Sequence, residues 1–255
     1  MNKIKIPLPP LPIQKQIAEI LEKADEARQK RKEANKLTDE FLQSVFIEMF
    51  GDPVKNPKGW EKGIIRDVVE YSEYGTSKKS NDKGIGYPIL GMNNITYEGS
   101  IDLTKCNYVD LKAKEFKKLK LEKGDIIFNR TNSTELVGKT TYWNLCIDAV
   151  IASYLVKIRL INAIEPIWFS FLLNTLSYKN LFESRCKKAV NQSNISPTLL
   201  KEFPLIIPPN SLQQQFAEIV NKTEALKEKQ KQSEQELENL FQSLMQKAFK
   251  GELVA

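Results

Sequence analysis

The 255 residues contain no histidine. That single absence removes Ser-His-Asp and Cys-His nucleophilic systems and every metal triad built on imidazole. Neither a G-x-x-x-x-G-K-[ST] loop nor a G-x-G-x-x-G turn occurs, so the common backbone cradles for nucleotide phosphates are missing as well. Cysteine is sparse: Cys106, Cys146 and Cys186 stand far apart, an odd number without C-x-x-C spacing. This argues against a disulfide framework or a zinc site and predicts reduced, mostly buried thiols. No stretch approaches the ~20 apolar residues of a membrane span, and the N-terminus MNKIKIPLPPLPIQKQ has no apolar run suited to a signal peptide. The cytoplasm is the expected location. Carboxylates are plentiful, so a scattered Asp/Glu/Lys site stays open on paper, but an enzyme reading starts well behind.

What is present is positive charge, unevenly placed. Residues 1–52 hold 9 Lys/Arg against 9 Asp/Glu, residues 205–255 hold 6 against 7, and residues 53–204 hold 23 against 16. The net charge of +6 therefore lies on the middle of the chain. A basic field on one domain suits a polyanionic partner.

The two flanks repeat each other. Segment 9–50 aligns without a gap to segment 208–249 at an offset of 199, with 13 identities in 42 positions, among them Pro9/Pro208, Gln14/Gln213, Glu19/Glu218 and Phe50/Phe249. After the prolines, a 3.5-residue spacing runs through Ile13, Ile17, Ile20, Ala24, Ala27, Arg31, Ala34, Thr38, Phe41 and Val45. The second copy puts Leu212, Phe216, Ile219, Thr223, Leu226, Gln230, Ser233, Leu237, Leu240 and Leu244 at matching positions. This periodicity predicts helices over 14–50 and 211–249 that form a coiled coil. Each is about 55 Å long at 1.5 Å per residue. Prolines mark the starts, and Gly51 and Gly251 mark the stops. A polar layer is expected where the level of Arg31 meets that of Gln230, beside small Ala34 and Ser233.

Because one helix leads into the middle and the other leads out, the pair has to run antiparallel. The middle reads as mixed α/β, with strands over 63–69, 87–90, 125–128 and 149–158, and a buried helix over 165–185. The expected fold class is α+β: one globular mixed α/β recognition domain (53–204) flanked by two long helices (1–52 and 205–255) in an antiparallel coiled coil.

Several short stretches together resemble the specificity subunits of type I restriction–modification enzymes, over essentially the whole chain. They are Leu8-Pro9-Pro10-Leu11-Pro12-Ile13-Gln14-Lys15-Gln16-Ile17 and its echo Ile207-Pro208-Pro209-Asn210-Ser211-Leu212-Gln213-Gln214-Gln215. Others are Met49-Phe50-Gly51-Asp52-Pro53, Asn56-Pro57-Lys58-Gly59-Trp60-Glu61 and Ala248-Phe249-Lys250-Gly251-Glu252-Leu253. Within the middle, Gly124-Asp125-Ile126-Ile127-Phe128-Asn129-Arg130-Thr131 followed by Val137-Gly138-Lys139 is similar to that family's recognition domains.

The resemblance implies a DNA-binding subunit without a catalytic centre that docks methyltransferase (M) subunits and positions them on double-stranded DNA. Each recognition domain reads half of a bipartite target, and the helices act as the ruler between halves. It implies no cofactor on this chain: S-adenosylmethionine belongs to the methyltransferase subunits, and ATP and Mg to a motor-nuclease (R) subunit where one joins. Family members usually carry two recognition domains, whereas this chain has one. It is either a natural half-subunit or part of a split or truncated gene, and a bipartite site then calls for a homodimer or a partner half-subunit.

Sequence reading needs short polar groups at base edges, with Lys/Arg on phosphates supplying affinity. Three loops offer both. Loop 74–83 brings Tyr74, Thr76, Ser77, Lys78, Lys79 and Ser80. Loop 129–134 brings Asn129, Arg130, Thr131, Asn132 and Ser133, with Lys139 nearby. Segment 185–194 brings Arg185, Lys187, Lys188, Asn191, Gln192 and Ser193. The rival readings are a stand-alone nuclease or methyltransferase, against which the missing motifs count, and a coiled-coil scaffold that has no DNA role.

Overall fold

The computed structural model describes residues 9–188 and 192–254. The chain divides into two compact units, a helical one made of Met1–Ser44 with Ile219–Ala255, and a larger one spanning Val45–Glu218. Among the described residues no helix is long and apolar enough to cross a membrane, and no group of three or more Cys, Asp or Glu is placed to hold a metal ion.

The long helices are α1 (Leu11–Phe50) and, last in the chain, α6 (Asn210–Lys250). Pro12 lies in the first turn of α1, where its missing N–H costs nothing. In the helical unit the two run antiparallel, because rising numbers in α1 meet falling numbers in α6. Arg28 pairs with Glu238 at 2.6 Å, Asn35 Nδ2 donates to Glu234 at 2.7 Å, and Thr38 and Gln230 bond side chain to side chain at 3.2–3.3 Å. The Arg28 guanidinium also sits 4.2 Å over the Phe241 ring.

These pairs correct the expected seam in two ways. Gln230 faces Thr38 instead of Arg31, a slip of one heptad. A stripe repeating every seven residues does not itself decide which heptad meets which. The inward line is also different. Taking Arg28, Asn35 and Leu42 as a positions puts Arg31 and Thr38 at d. In α6 the same register makes Lys227, Glu234 and Phe241 a, and Gln230 and Leu237 d. The predicted line ran along d and g, and three of its large g residues are open: Phe41 and Leu226 at 49% and Leu240 at 51%. Hydropathy chose the apolar g residues over Arg28, Asn35 and Glu234, which enter the seam because Arg28 bonds Glu238 and Asn35 bonds Glu234.

In the larger unit the chain order is β1 (Glu61–Ile64), β2 (Val69–Tyr74), β3 (Tyr87–Leu90), β4 (Asn107–Val109), α2 (Ala113–Leu119), β5 (Ile126–Asn129), β6 (Thr131–Asn132), β7 (Thr140–Tyr142), β8 (Val150–Ile151) and β9 (Leu155–Leu160). There follow α3 (Pro166–Asn174), α4 (Leu176–Arg185), β10 (Lys187–Lys188), β11 (Ser193–Asn194), α5 (Pro197–Lys201) and β12 (Pro204–Ile207). The main sheet is antiparallel in the order β2-β9-β5-β7. Smaller sheets are β4-β3-β8, β10-β11-β6 and β1-β12. In the second of these four, β3 and β8 pair in parallel.

Two predicted elements are broken. The strand expected over 149–158 is β8 and β9 separated by a turn at Ala152-Ser153-Tyr154, closed by Leu155 N donating to Ala152 O at 2.9 Å. The helix expected over 165–185 is split at Thr175, whose backbone is extended (φ −61, ψ 150) and whose hydroxyl oxygen accepts from Tyr178 N. Two shorter helices can bury Trp168, Phe169, Leu172 and Leu173 on one side and Tyr178 and Phe182 on another, which one straight helix could not. Likewise, 63–69 is not one strand: a 3-10 turn over Ile65–Val68 intervenes and buries Ile65 and Val68.

The core is aromatic. Phe46, Phe50, Phe216 and Trp168 form tilted and edge-on pairs with centroids 5.0–6.0 Å apart, a favourable geometry for ring quadrupoles. Charged groups inside are paired. Asp125, 1% exposed, accepts two bonds from Arg159 at 2.8 and 3.0 Å, and burial still holds its carboxyl above the usual carboxylate range. Lys157 is buried with its ammonium on the carbonyls of Lys118 and Lys120, both at 3.0 Å. Of the three free thiols, Cys186 is buried, Cys106 half-buried and Cys146 exposed.

Candidate nucleic-acid interface

The three polar loops singled out from sequence come together on one side of the larger unit. The β10-β11-β6 sheet joins two of them, pairing Ser193 with Asn132 and Asn194 with Thr131. Cross-links reinforce it: Thr134 and Ser193 hydroxyls lie 2.8 Å apart, and Asn194 Nδ2 donates to Thr131 Oγ1 at 2.8 Å. The third loop is tied in by Thr76, whose N–H donates to Ile151 O and whose carbonyl accepts from Ser153 N, both at 2.9 Å. Gly75 makes that approach possible, because a Cβ there would lie 2.2 Å from Ala152 O.

Arg130 stands at the junction. Its guanidinium lies 5.1 Å over the Tyr74 ring, and Nη1 donates to Ser153 O at 3.3 Å. Its own N–H donates to Tyr154 O at 3.1 Å. Tyr74 (48% exposed) and Tyr154 (44%) flank it in solvent. A half-buried arginine fixed by an aromatic face and a carbonyl retains free donors while losing little freedom on binding.

The predicted residues divide sharply by burial. Open or half-open are Tyr74, Ser77, Lys78, Lys79, Ser80, Arg130, Asn132, Ser133 and Gln192. Five others are enclosed: Thr76 (8%), Asn129 (0%), Thr131 (7%), Lys139 (8%) and Ser193 (1%) present little side-chain surface. Four of these do internal work. Thr76 Oγ1 accepts from Lys78 N at 3.2 Å, and Thr131 and Ser193 make the cross-links above. The Lys139 ammonium donates to the carbonyls of Met92, at 2.9 Å, and Ile95, and burial pushes its pKa below the usual lysine value. The Asn129 amide has no partner among the described residues. Lys78 is also engaged, by Glu115 at 2.6 Å. The Lys188 side chain and all of Asn191 lie outside the described residues.

Tyr154 and Asn194, which the sequence reading did not single out, also lie among these loops. The signal for Tyr154 was present: Ser153-Tyr154 interrupts two apolar runs, and a polar pair inside a buried strand marks a break. Asn194 carried no such mark.

The profile of the type I restriction modification DNA specificity domain matches residues 1–38 and 57–239. Among curated relatives, the specificity subunit assigned to the MjaX type I restriction enzyme of Methanocaldococcus jannaschii is 35% identical over 170 residues, covering 65% of this chain and 39% of that protein. The EcoKI type I restriction enzyme specificity subunit of Escherichia coli is 28% identical over 278 aligned positions, covering 99% of this chain and 58% of that protein. The chain thus spans well under two thirds of these relatives. Among solved structures, the HsdS subunit of Thermoanaerobacter tengcongensis shares the fold, with a TM-score of 0.55 at 24% identity over 97% of this chain and 61% of that one.

Proposed function

The chain belongs to the type I restriction modification DNA specificity domain family, and from that premise we propose that it is a half-length specificity subunit that reads one half of a bipartite DNA target. One observation supports this most: three separate loops converge on a single face around an arginine held between Tyr74 and the Ser153 carbonyl. The unit Val45–Glu218 is the reader. Arg130 is the candidate for a guanine edge, Asn132 and Gln192 for adenine, and Lys79 for phosphate. Tyr74 and Tyr154 supply flat surfaces beside them.

In this reading the helical unit docks adenine-methyltransferase subunits, and a motor-nuclease subunit joins where cleavage occurs. The chemistry, with S-adenosylmethionine for methylation and ATP and Mg for cleavage, belongs to those partners in the cytoplasm. One reader per chain calls for a second copy or another half-subunit. The test is selection of duplexes from a random library by the purified chain, across a salt series. The expected result is one short enriched motif, with affinity falling steeply as salt rises. Binding without enrichment contradicts the proposal.

A further inference from the structure

Loop 74–83 does not end at the reading face. From Tyr74 and Thr76 it runs to a second surface, made by β4 and α2. Lys78 pairs with Glu115 of α2 at 2.6 Å, and Lys118 of α2 pairs with Glu73 of β2 at 3.0 Å. Asn81 and Tyr108 of β4 exchange two backbone bonds, at 2.7 and 2.8 Å. The Asn81 side chain then ties the turn beyond it: Nδ2 donates to Ile85 O at 2.9 Å, and Oδ1 accepts from Lys83 N at 3.0 Å. Beside the turn, Tyr87 stacks on Phe116 of α2 with ring centroids 3.7 Å apart. Loop 76–86, β4 and α2 are thus one braced ridge, continuous with the reading face.

The ridge is strongly basic. Segments 76–86 and 107–118 hold seven lysines against three carboxylates, Asp82, Asp110 and Glu115, in a chain whose whole net charge is +6. Lys78 and Lys118 form the two ion pairs that fasten it. Lys79, Lys83, Lys112, Lys114 and Lys117 are exposed, and none of these side chains has an ionic partner among the described residues. On α2, Lys114 precedes Lys117 and Lys118 by three and four residues, spacings at which like charges repel. A rigid surface that gathers cations without neutralising them fits a polyanion. Duplex DNA held at the adjoining face is a polyanion within reach.

We infer that this ridge grips the phosphates of the duplex beside the bases read around Arg130. It supplies affinity without sequence preference, because a lysine on a phosphate carries no base information. Lys112, Lys114 and Lys117 lie outside the three loops of the reader, so the ridge extends the contact past the motif that is read. The inference rests on the DNA reading proposed above and adds a second, separable contact to it.

Fluorescence anisotropy with the full chain, on target and scrambled duplexes across a salt series, tests it. Each phosphate contact contributes about 0.9 to the slope of log affinity against log salt, or about eightfold in affinity at 0.1 M salt. Lys114→Gln/Lys117→Gln is expected to lower the slope by about 2 and to weaken both duplexes equally, up to about 60-fold. Lys114→Arg/Lys117→Arg keeps the charge and is expected to bind as the wild type does. Lys58→Gln/Lys62→Gln removes the same charge from exposed positions outside the ridge and is expected to leave the slope nearly unchanged. On a duplex cut back to the enriched motif, wild type and Lys114→Gln/Lys117→Gln are expected to bind alike. A glutamine variant that binds both long duplexes like the wild type, or that loses the target alone, would overturn the inference. Unchanged DNA binding with weaker capture of a methyltransferase would overturn it too, by giving the ridge to a protein. The two readings fail separately. An enriched motif with an unaffected glutamine variant sinks the ridge alone, whereas salt-dependent binding that this variant loses, without any enriched motif, sinks the reading alone.

Discussion

Replacing Arg130 should separate reading from mere binding. Its guanidinium is placed by the Tyr74 ring at 5.1 Å and the Ser153 carbonyl at 3.3 Å, while its Nε is enclosed without a partner among the described residues. A bidentate arginine–guanine contact contributes about 1–3 kcal/mol of discrimination. Arg130→Ala should therefore weaken binding to the target duplex by roughly 5- to 150-fold, since 1.4 kcal/mol corresponds to a factor of ten. It should weaken binding to a scrambled duplex far less, because only one charge is lost. Arg130→Lys keeps the charge and loses the planar fork, so it should restore the scrambled duplex and not the target. Tyr74→Leu removes the supporting face, worth about 0.5–1 kcal/mol for a partly exposed cation–π contact, and should cost the target about two- to fivefold. Fluorescence anisotropy on both duplexes across a salt series measures all of this. Equal losses on target and scrambled DNA in Arg130→Ala would reduce Arg130 to a phosphate contact, and unchanged affinity would remove it from the interface.

Other expected outcomes follow from the same contacts. Asp125→Asn removes the buried carboxylate from Arg159, which keeps Glu122 at 2.8 Å, and urea unfolding should show a loss of about 1–3 kcal/mol; a loss under 1 kcal/mol would mean the pair contributes little. Burial lowers the Lys179 pKa to about 8, and its ammonium bonds Tyr97 O at 3.0 Å. The unfolded chain then binds this proton more tightly between about 8 and 10.5, so this site makes stability rise with pH over that window. Lys179→Met should flatten that part of the wild-type profile; a parallel profile would refute the assignment. Thr38→Val and Gln230→Leu should show a coupling of about 0.5–1.5 kcal/mol in a double-mutant cycle, and Arg31→Leu with Gln230→Leu should show none. The reverse would restore the register expected from sequence. Gly75→Ala drives a methyl into Ala152 O and should cost about 1–3 kcal/mol of stability, with weaker target binding; a neutral result would show that the loop does not need that approach.

The elements that sequence made legible are those written in a period. Two helices of 40 and 41 residues stand almost where the heptads put them, and β3 falls on the predicted 87–90. What failed depended on tertiary partners. Arg28, Asn35 and Glu234 enter the seam because each finds the other helix's polar group, which hydropathy cannot see. Thr175 breaks a helical pattern by capping the next helix with its own hydroxyl. At the candidate interface, composition singled out the polar loops but could not sort inward from outward. Asn129 and Arg130 are adjacent in sequence, yet one is enclosed and the other faces solvent beside two tyrosines, because β5 ends there and successive side chains point to opposite faces. Lys139, singled out for its place near loop 129–134, ties two internal carbonyls.

The central claim is that Val45–Glu218 sets the DNA half-site while catalysis resides on a partner. Methylation-sensitive sequencing of DNA modified by this chain with its cognate methyltransferase tests it most directly. Methylated adenine is expected within one bipartite, inverted-repeat motif, and exchanging residues 45–218 for those of a relative should change the motif without abolishing methylation. A motif unaltered by that exchange, or DNA methylated or cut by this chain alone, would contradict the account.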